Sequence, residues 1–309
     1  MSRCIILTPF YEPNRGGVET FCKALYDEAC KKYDTKVITI NWKGQKVWKG
    51  LPFFEAVKIA LILWFKCMSC DLENTTILAQ GFIAGFVCVF LPCKHTVTTH
   101  ALYDFKDKPK WFKKLCAWTL NNADKVYTEG GLCKKELKKI GVKNKKIKMY
   151  QHWVDLDTFY PGKKNKVLTV LFVGRPIFEK GIHIIEAVEA DLKRWKVRFI
   201  YATNVEARKM PEVYRGADVL IVPSIYSESF ARVVLEGCAS GLVILASNKG
   251  SLPELVTNKI GWTMEPTTQN FRNRILYLHH EREVLKLMQL NAREYAEEHF
   301  SNRNAEVML

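Results

Sequence analysis

Short apolar runs bounded by polar or turn residues alternate along the chain with amphipathic stretches. "CIILTPF", "KVITI", "TILA", "HTVTTH", "DKVYTE" and "KIKMYQ" have the compact, β-branched character of buried strands. Between the first two, Val18, Phe21, Cys22, Leu25 and Ala29 recur at helical spacing, which predicts a helix over residues 18–31 lying on a sheet. A second helix is expected over residues 55–67. After the polar stretch "WVDLDTFYPGKKNK" the alternation restarts, with strands at "KVLTVLFVG", "KVRFIYAT", "DVLIVPS", "LVILAS" and "GWTME". Strands that alternate with helices imply parallel sheets covered on both faces. The expected fold class is therefore α/β, with two doubly wound domains over residues 1–162 and 163–290 joined near residues 160–166. A charged amphipathic helix is expected beyond the second sheet, within residues 291–309.

A length of 309 residues and 48% hydrophobic content suit two globular cores. The formal charge of +15 is unevenly spread, because residues 1–161 hold 26 Lys and Arg against 15 Asp and Glu. Ten cysteines lack the spacing of a disulfide framework, and Cys67-x-x-Cys70 has no second pair to complete a zinc site. Reduced thiols and a cytoplasmic location are expected, since Pro9 and Glu12 interrupt any secretory signal. "NTTILAQGFIAGFVCVFLPC" is uncharged and long enough to span a bilayer. Gln80, Gly81 and Gly85 favour a strand over residues 75–79, a turn and a buried helix up to Phe90, with a membrane span as the alternative.

Open parallel sheets bind ligands at the carboxyl ends of their strands, and three such ends carry suggestive residues. In "TPFYEPNRGGVET", Gly16 and Gly17 precede a helix and would let backbone N–H groups approach a phosphate. In "LFVGRPIFEKGIH", Arg175 and Lys180 follow a strand and suit a diphosphate. In "PSIYSESFARVVLEGCASG", Glu228 stands at a helix mouth and Glu236 about two turns in, with Ser229 expected as N-cap and Gly241 as C-terminal cap. Each also has a plainer reading: a glycine turn, solvated cations, and a glutamate that merely complements the helix dipole.

Together and in this order, these segments resemble the retaining nucleotide-sugar transferases of glycosyltransferase family 4. "ADVLIVPSIYSESFARVVLEGCASGLVILASNKGSLPELV" is similar to the family's Glu-x7-Glu stretch, and "VGRPIFEKG", "ADKVYTEGG", "HWVDLDTFYP" and "NAREYAEEHFS" also match. The resemblance implies the GT-B fold, two Rossmann-like domains facing across a cleft, with the closing helix returning to the first domain. It implies that Glu228 holds hydroxyls of the donor sugar and that Glu236 accepts hydrogen bonds from the ribose. Backbone N–H groups of Ser229, Phe230 and Ala231 would meet sugar or phosphates. Arg175 and Lys180 would neutralise the departing diphosphate, so that no metal and no cofactor beyond a UDP- or GDP-sugar donor is needed. Gly16 and Gly17 would close over the diphosphate, and His100, at the end of "TVTTH", would line the donor sugar; its plain alternative is a core or surface histidine. The family commonly has Gly-Phe-Gly after the first glutamate where this chain has Ser229-Phe230-Ala231. Its glycine-rich turn after "VRFIYAT" is also missing, which leaves the base unspecified.

The acceptor hydroxyl, on a lipid or a glycan, is expected in the first domain. There "KDKPKWFKKLCAWTL" sets Lys108, Lys110, Lys113 and Lys114 beside Trp111, Phe112, Leu115 and Trp118, and "KKELKKIGVKNKKIK" adds eight lysines in fifteen residues. Such segments suit an anionic membrane surface, with a solvated lysine face as the alternative. The rival functions are a sugar-nucleotide-binding protein that has lost catalysis and a basic nucleic-acid-binding protein. Charge alone supports the latter, without a recognition motif, so no specific nucleic acid is expected.

Overall fold

The computed structural model describes residues 2–11, 16–40, 53–100, 105, 108–163, 165–228 and 230–309. The chain divides into two compact units, residues Met1–Gln151 with Ala305–Leu309, and His152–Asn304.

The first unit runs β1 (Arg3–Thr8), α1 (Gly17–Ala29), β2 (Asp34–Thr39), α2 (Phe53–Met68), β3 (Thr75–Gln80), α3 (Phe82–Cys88), β4 (Lys94–Thr99), α4 (Lys110–Asn122), β5 (Lys125–Glu129), α5 (Gly130–Lys139) and β6 (Ile147–Tyr150). Its sheet is parallel in the order β2-β1-β3-β4-β5-β6. All six expected strands are present. The uncharged stretch at residues 74–93 is β3 and α3, and among the described residues no helix is long and apolar enough to cross a membrane. One core joins Ile5, Leu7 and Ile77 of the sheet to Ile59 and Leu63 of α2, Ala84 and Val87 of α3, Leu120 of α4 and Leu137 of α5. These four helices thus cover the same face. Phe21, Cys22, Leu25 and Ala29 of α1 are buried outside that cluster, as expected when β1 to β2 runs in the opposite direction across the sheet from the later crossovers.

The second unit runs β7 (Leu168–Val173), α6 (Ile182–Asp191), β8 (Val197–Ala202), α7 (Met210–Arg215), β9 (Val219–Val222), α8 (Arg232–Ala239), β10 (Val243–Ser247), α9 (Leu252–Leu255), β11 (Gly261–Met264), α10 (Thr268–His280) and α11 (Arg282–His299). Its parallel sheet has the order β11-β10-β9-β7-β8. The division between the units falls before the polar stretch, because Val154, Leu156 and Phe159 pack into the second core. Arg293 fixes the same segment by donating from Nη1 to the carbonyls of Leu156 (3.2 Å), Phe159 (2.8 Å) and Ala239 (2.9 Å).

The closing helix starts at Arg282, earlier than expected, and stays with the second unit through Leu285, Met288, Ala292 and Ala296. Only the last five residues belong to the first unit. There the Tyr127 hydroxyl donates to the Val307 carbonyl at 2.7 Å, and that of Tyr33 to Leu309 at 2.5 Å. All ten cysteines are free, and burial pushes the thiols of Cys4, Cys22, Cys67 and Cys116 up to about 12, so they pack as small neutral groups.

Candidate functional site

In the second sheet the chain leaves β7 towards β8 on one side and returns to β9 on the other. That reversal opens a crevice at the carboxyl ends of β7 and β9. Lys180 follows β7 at the end of a 3-10 turn, Phe178–Lys180, and Glu228 follows β9. The two meet: Lys180 Nζ lies 2.7 Å from Glu228 Oε1. Glu228 is buried, and it also accepts from Ser224 Oγ at 2.6 Å and from the Tyr226 hydroxyl at 2.8 Å. Lys180 stands 5.1 Å from the centre of the Tyr226 ring, a cation–π distance. Charge-assisted bonds of this kind are short and strong, at the cost of desolvating both partners.

The backbone around this pair is pinned. Ile225 N–H donates to the Glu179 carbonyl at 3.0 Å, tying the β9 loop to the β7 loop, and Ser251 N–H donates to the Glu228 carbonyl at 2.9 Å. Gly181 and Gly250 have left-handed φ values of +75° and +62°. A side chain would run into the Pro223 carbonyl at the first and into the Glu228 backbone at the second, so both loops need glycine there. Arg175 lies in the same loop as Lys180, at an exposed position.

The helix that carries Glu236 differs from the sequence expectation. It begins at Arg232, with Ala231 in the N-cap position and no side-chain cap, so Glu236 sits one turn in rather than two. Ser229, expected as the cap, lies outside the described residues. The C-terminal end is as expected: Gly241 N–H donates to Cys238 and Leu242 N–H to Gly237, the paired bonds of a Schellman motif. Glu236 accepts from the Tyr214 hydroxyl at 2.8 Å, and Arg232 Nε lies 4.0 Å from its other oxygen. Burial raises the Glu236 carboxyl above its ordinary value, while Arg232 and Tyr214 partly offset this. Arg232 itself is nearly buried, and its Nε and Nη1 make no hydrogen bond. A cation in the first turn opposes the helix dipole, so its position calls for an anion. Phe230 stacks on His152 with ring centres 3.8 Å apart.

In the first unit, His100 Nε2 lies 2.9 Å from Gln80 Oε1, and Gln80 Nε2 in turn donates to the Leu78 carbonyl. His100 Nδ1 lies 3.6 Å from Glu129 Oε1, which accepts from the Tyr150 hydroxyl at 2.9 Å. Phe21 meets the imidazole edge-on at 5.1 Å. Gly16 caps α1 in extended conformation, and the Glu19 carboxylate folds back beside it. Burial raises the Glu19 carboxyl, offset by its own backbone N–H and by His100. The phosphate-sized space expected at Gly16 and Gly17 therefore has a carboxylate of the same chain next to it.

Sequence reasoning missed Gln80, Glu129 and Tyr150, although each ends a strand, the rule that selected His100. It also missed Ser224 and Tyr226 in the quoted β9 loop. Arg232 could have been found from its unfavourable place in the first helical turn. Tyr214 gives no local signal, since it reaches Glu236 from 22 residues away.

The family model described as Glycosyl transferases group 1 matches residues 189–297. That match lies within the second unit. The fold of the whole chain is GT-B, as in solved glycosyltransferases of that fold. Sucrose-phosphate synthase from Thermosynechococcus elongatus superposes with a TM-score of 0.79 at 17% identity, covering 100% of this chain and 97% of that one. Anabaena HepE in complex with UDP gives 0.74 at 16% identity, covering 100% and 98%. The sulfoquinovosyl transferase SQD2 of Arabidopsis thaliana is 24% identical over 190 residues, 50% of this chain and 37% of that protein. The chain thus spans about a third of the length of the curated relatives it matches first. The matched stretch includes Glu228, Arg232 and Glu236 and begins after Arg175 and Lys180.

Proposed function

We propose that the chain transfers a hexose from a nucleoside diphosphate sugar to a hydroxyl acceptor on a lipid or glycan, with retention of configuration. The observation that carries this reading is the Lys180–Glu228 pair at the β7/β9 crevice, with Glu236 and Arg232 one turn apart on the helix that follows. Glu228 holds hydroxyls of the donor sugar, and Glu236 accepts from the ribose. Backbone N–H groups of Phe230 and Ala231 face the sugar or phosphates. Lys180 exchanges part of its bond to Glu228 for the diphosphate, and Arg175 joins it, so the reaction needs no metal to neutralise the leaving group. The family resemblance assigns Gly16 and Gly17 to the diphosphate and His100 to the sugar.

The reaction is a same-face displacement. The acceptor oxygen bonds to the anomeric carbon on the side from which the diphosphate departs, the carbon–oxygen bond to the phosphate breaks, and the acceptor proton passes to the leaving phosphate oxygen. Preorganised charge at the departing oxygens supplies the main stabilisation. The likeness to HepE, solved with UDP, supports a uridine donor, and GDP-sugars form the comparison arm.

A panel of UDP- and GDP-sugars read by thermal shift tests the donor. A ligand bound only by the folded state raises apparent stability according to its affinity. A shift with one nucleotide series, followed by release of that nucleotide on adding acceptor, is expected. No shift with any member would remove the donor assignment. A shift without hydrolysis or transfer would favour the reading as a binding protein that has lost catalysis.

A further inference from the structure

The outer surface of α2 to α5 carries an apolar stripe that the nucleotide-sugar reading does not use. On α2, Ile59, Leu63 and Cys67 face the core, while Val57, Leu61, Phe65 and Met68 form a second apolar stripe that is exposed, Phe65 by 65%. A helix that is apolar on two faces needs something to cover the outer one. Just past α3 and on α4 the same layer presents Phe90, 57% exposed, and Trp111, 60% exposed, together with Trp118. Phe90 and Trp118 form a connected patch with Phe86, which lies 5.3 Å from Phe90 and 6.3 Å from Trp118, and Trp111 joins it through Phe112 and Phe82.

Charge decides what covers it. The four helices hold nine lysines against Glu55 and Glu136. On the opposite face, α1 carries Glu19, Asp27 and Glu28 against Lys23. Exposed apolar residues and positive charge therefore coincide on one face and are separated from the acidic helix. Tryptophan and phenylalanine flanked by lysine suit the boundary between lipid headgroups and acyl chains, and lysines near an anionic leaflet add attraction. Among the described residues no helix is long and apolar enough to cross a bilayer, so such a face would lie on the surface.

We infer that the α2–α4 face, with the lysines of α5 beside it, is a docking surface for an anionic lipid bilayer. It places Leu61, Phe65, Phe90 and Trp118 at headgroup depth and Lys58, Lys110 and Lys114 over lipid phosphates. Vesicle binding is read without nucleotide, so its failure would leave the donor reading standing.

The test is co-sedimentation of the full chain with phosphatidylcholine vesicles, with and without phosphatidylglycerol. Binding is expected only with phosphatidylglycerol and falls as salt is raised. Leu61→Ser with Phe65→Ser lowers the partition by about tenfold or more. Lys58→Glu with Lys110→Glu and Lys114→Glu does the same. Unchanged circular dichroism and melting temperature show that the variants fold; a variant that does not fold is replaced by Trp118→Ser or Lys114→Glu alone. Absence of binding to anionic vesicles, equal binding to both vesicle types, or binding that both variant sets leave intact would overturn the proposal. So would a concentration-dependent dimer by light scattering that the Leu61 and Phe65 changes dissolve without vesicle binding, which would make a second copy the occupant.

Discussion

The two units repeat one architecture and distribute charge in opposite ways. The second balances 21 Lys and Arg with 18 Asp and Glu, and brings opposite charges together inside its strand-end crevice at Lys180 and Glu228. The first holds 26 against 14. Its strand ends gather carboxylates, Glu19 and Glu129, around His100, while its lysines crowd the outer helix layer. One unit thus spends its charge on a small internal site, and the other exposes most of it. The contrast fits a division of labour in which the second unit handles a compact anionic donor and the first meets a larger, hydroxyl-bearing partner.

The largest effect expected is from Lys180→Ala. It should lower turnover by about a hundredfold to a thousandfold, the scale of losing one preorganised charge donor, as measured by nucleotide release from the donor. Vesicle binding should stay unchanged, and loss of both properties together would dissolve the division between the units. Glu236→Ala should weaken donor binding by about tenfold, read as a smaller thermal shift with nucleotide, because one charged hydrogen-bond acceptor is removed. An unchanged shift would take the ribose role away from it.

Glu236 also makes a pH prediction. Because its folded-state value is raised by burial, its contribution to stability is fully present below the ordinary 4.5 of a glutamate and is lost as pH rises through the raised value. Glu236→Gln cannot ionise, so its melting temperature should gain on that of the wild type as pH climbs from about 4 towards neutrality. A constant difference would show that the carboxyl is not destabilised by burial. The smallest effect is expected from Tyr214→Phe, a loss of about 1 kcal/mol in denaturant unfolding, as for one buried hydrogen bond.

Much of this was legible in the chain. All eleven strands follow from short apolar runs, because a strand covered on both faces of a parallel sheet reads as a continuous apolar stretch. Lys180 and Glu228 were singled out separately, each as a charge in a short loop after a strand, and the structure brings the two together. The start of α8 was misplaced, since Ser229 looked like a cap whereas the helix begins at Arg232 with no side-chain cap at all. The C-terminal segment was expected to return to the first unit, and residues Ala305–Leu309 do so while the helix before them packs on the second, because an amphipathic pattern shows that one face is buried and not against what. The outer stripe of α2 was also hidden. An apolar helix reads as a buried one, and only the burial of Ile59, Leu63 and Cys67 beside an exposed Phe65 separates its two faces.

The contact between Lys180 and Glu228 has a further consequence for discrimination among anions. A lone lysine in a crevice would attract any phosphate in solution, and abundant inorganic phosphate would compete with a scarce donor. Here the lysine already has a buried glutamate partner at 2.7 Å, itself held by two hydroxyls, so its attraction for a passing anion is largely offset by that partner. A small anion offering charge alone must displace a well-placed partner and leave it unsatisfied, which is costly. A ligand that brings sugar hydroxyls to Glu228 while it brings phosphate to Lys180 repairs both halves of the broken bond. On the proposed function the pair would act as a lock that opens to two complementary groups arriving on one molecule, a filter as well as a support.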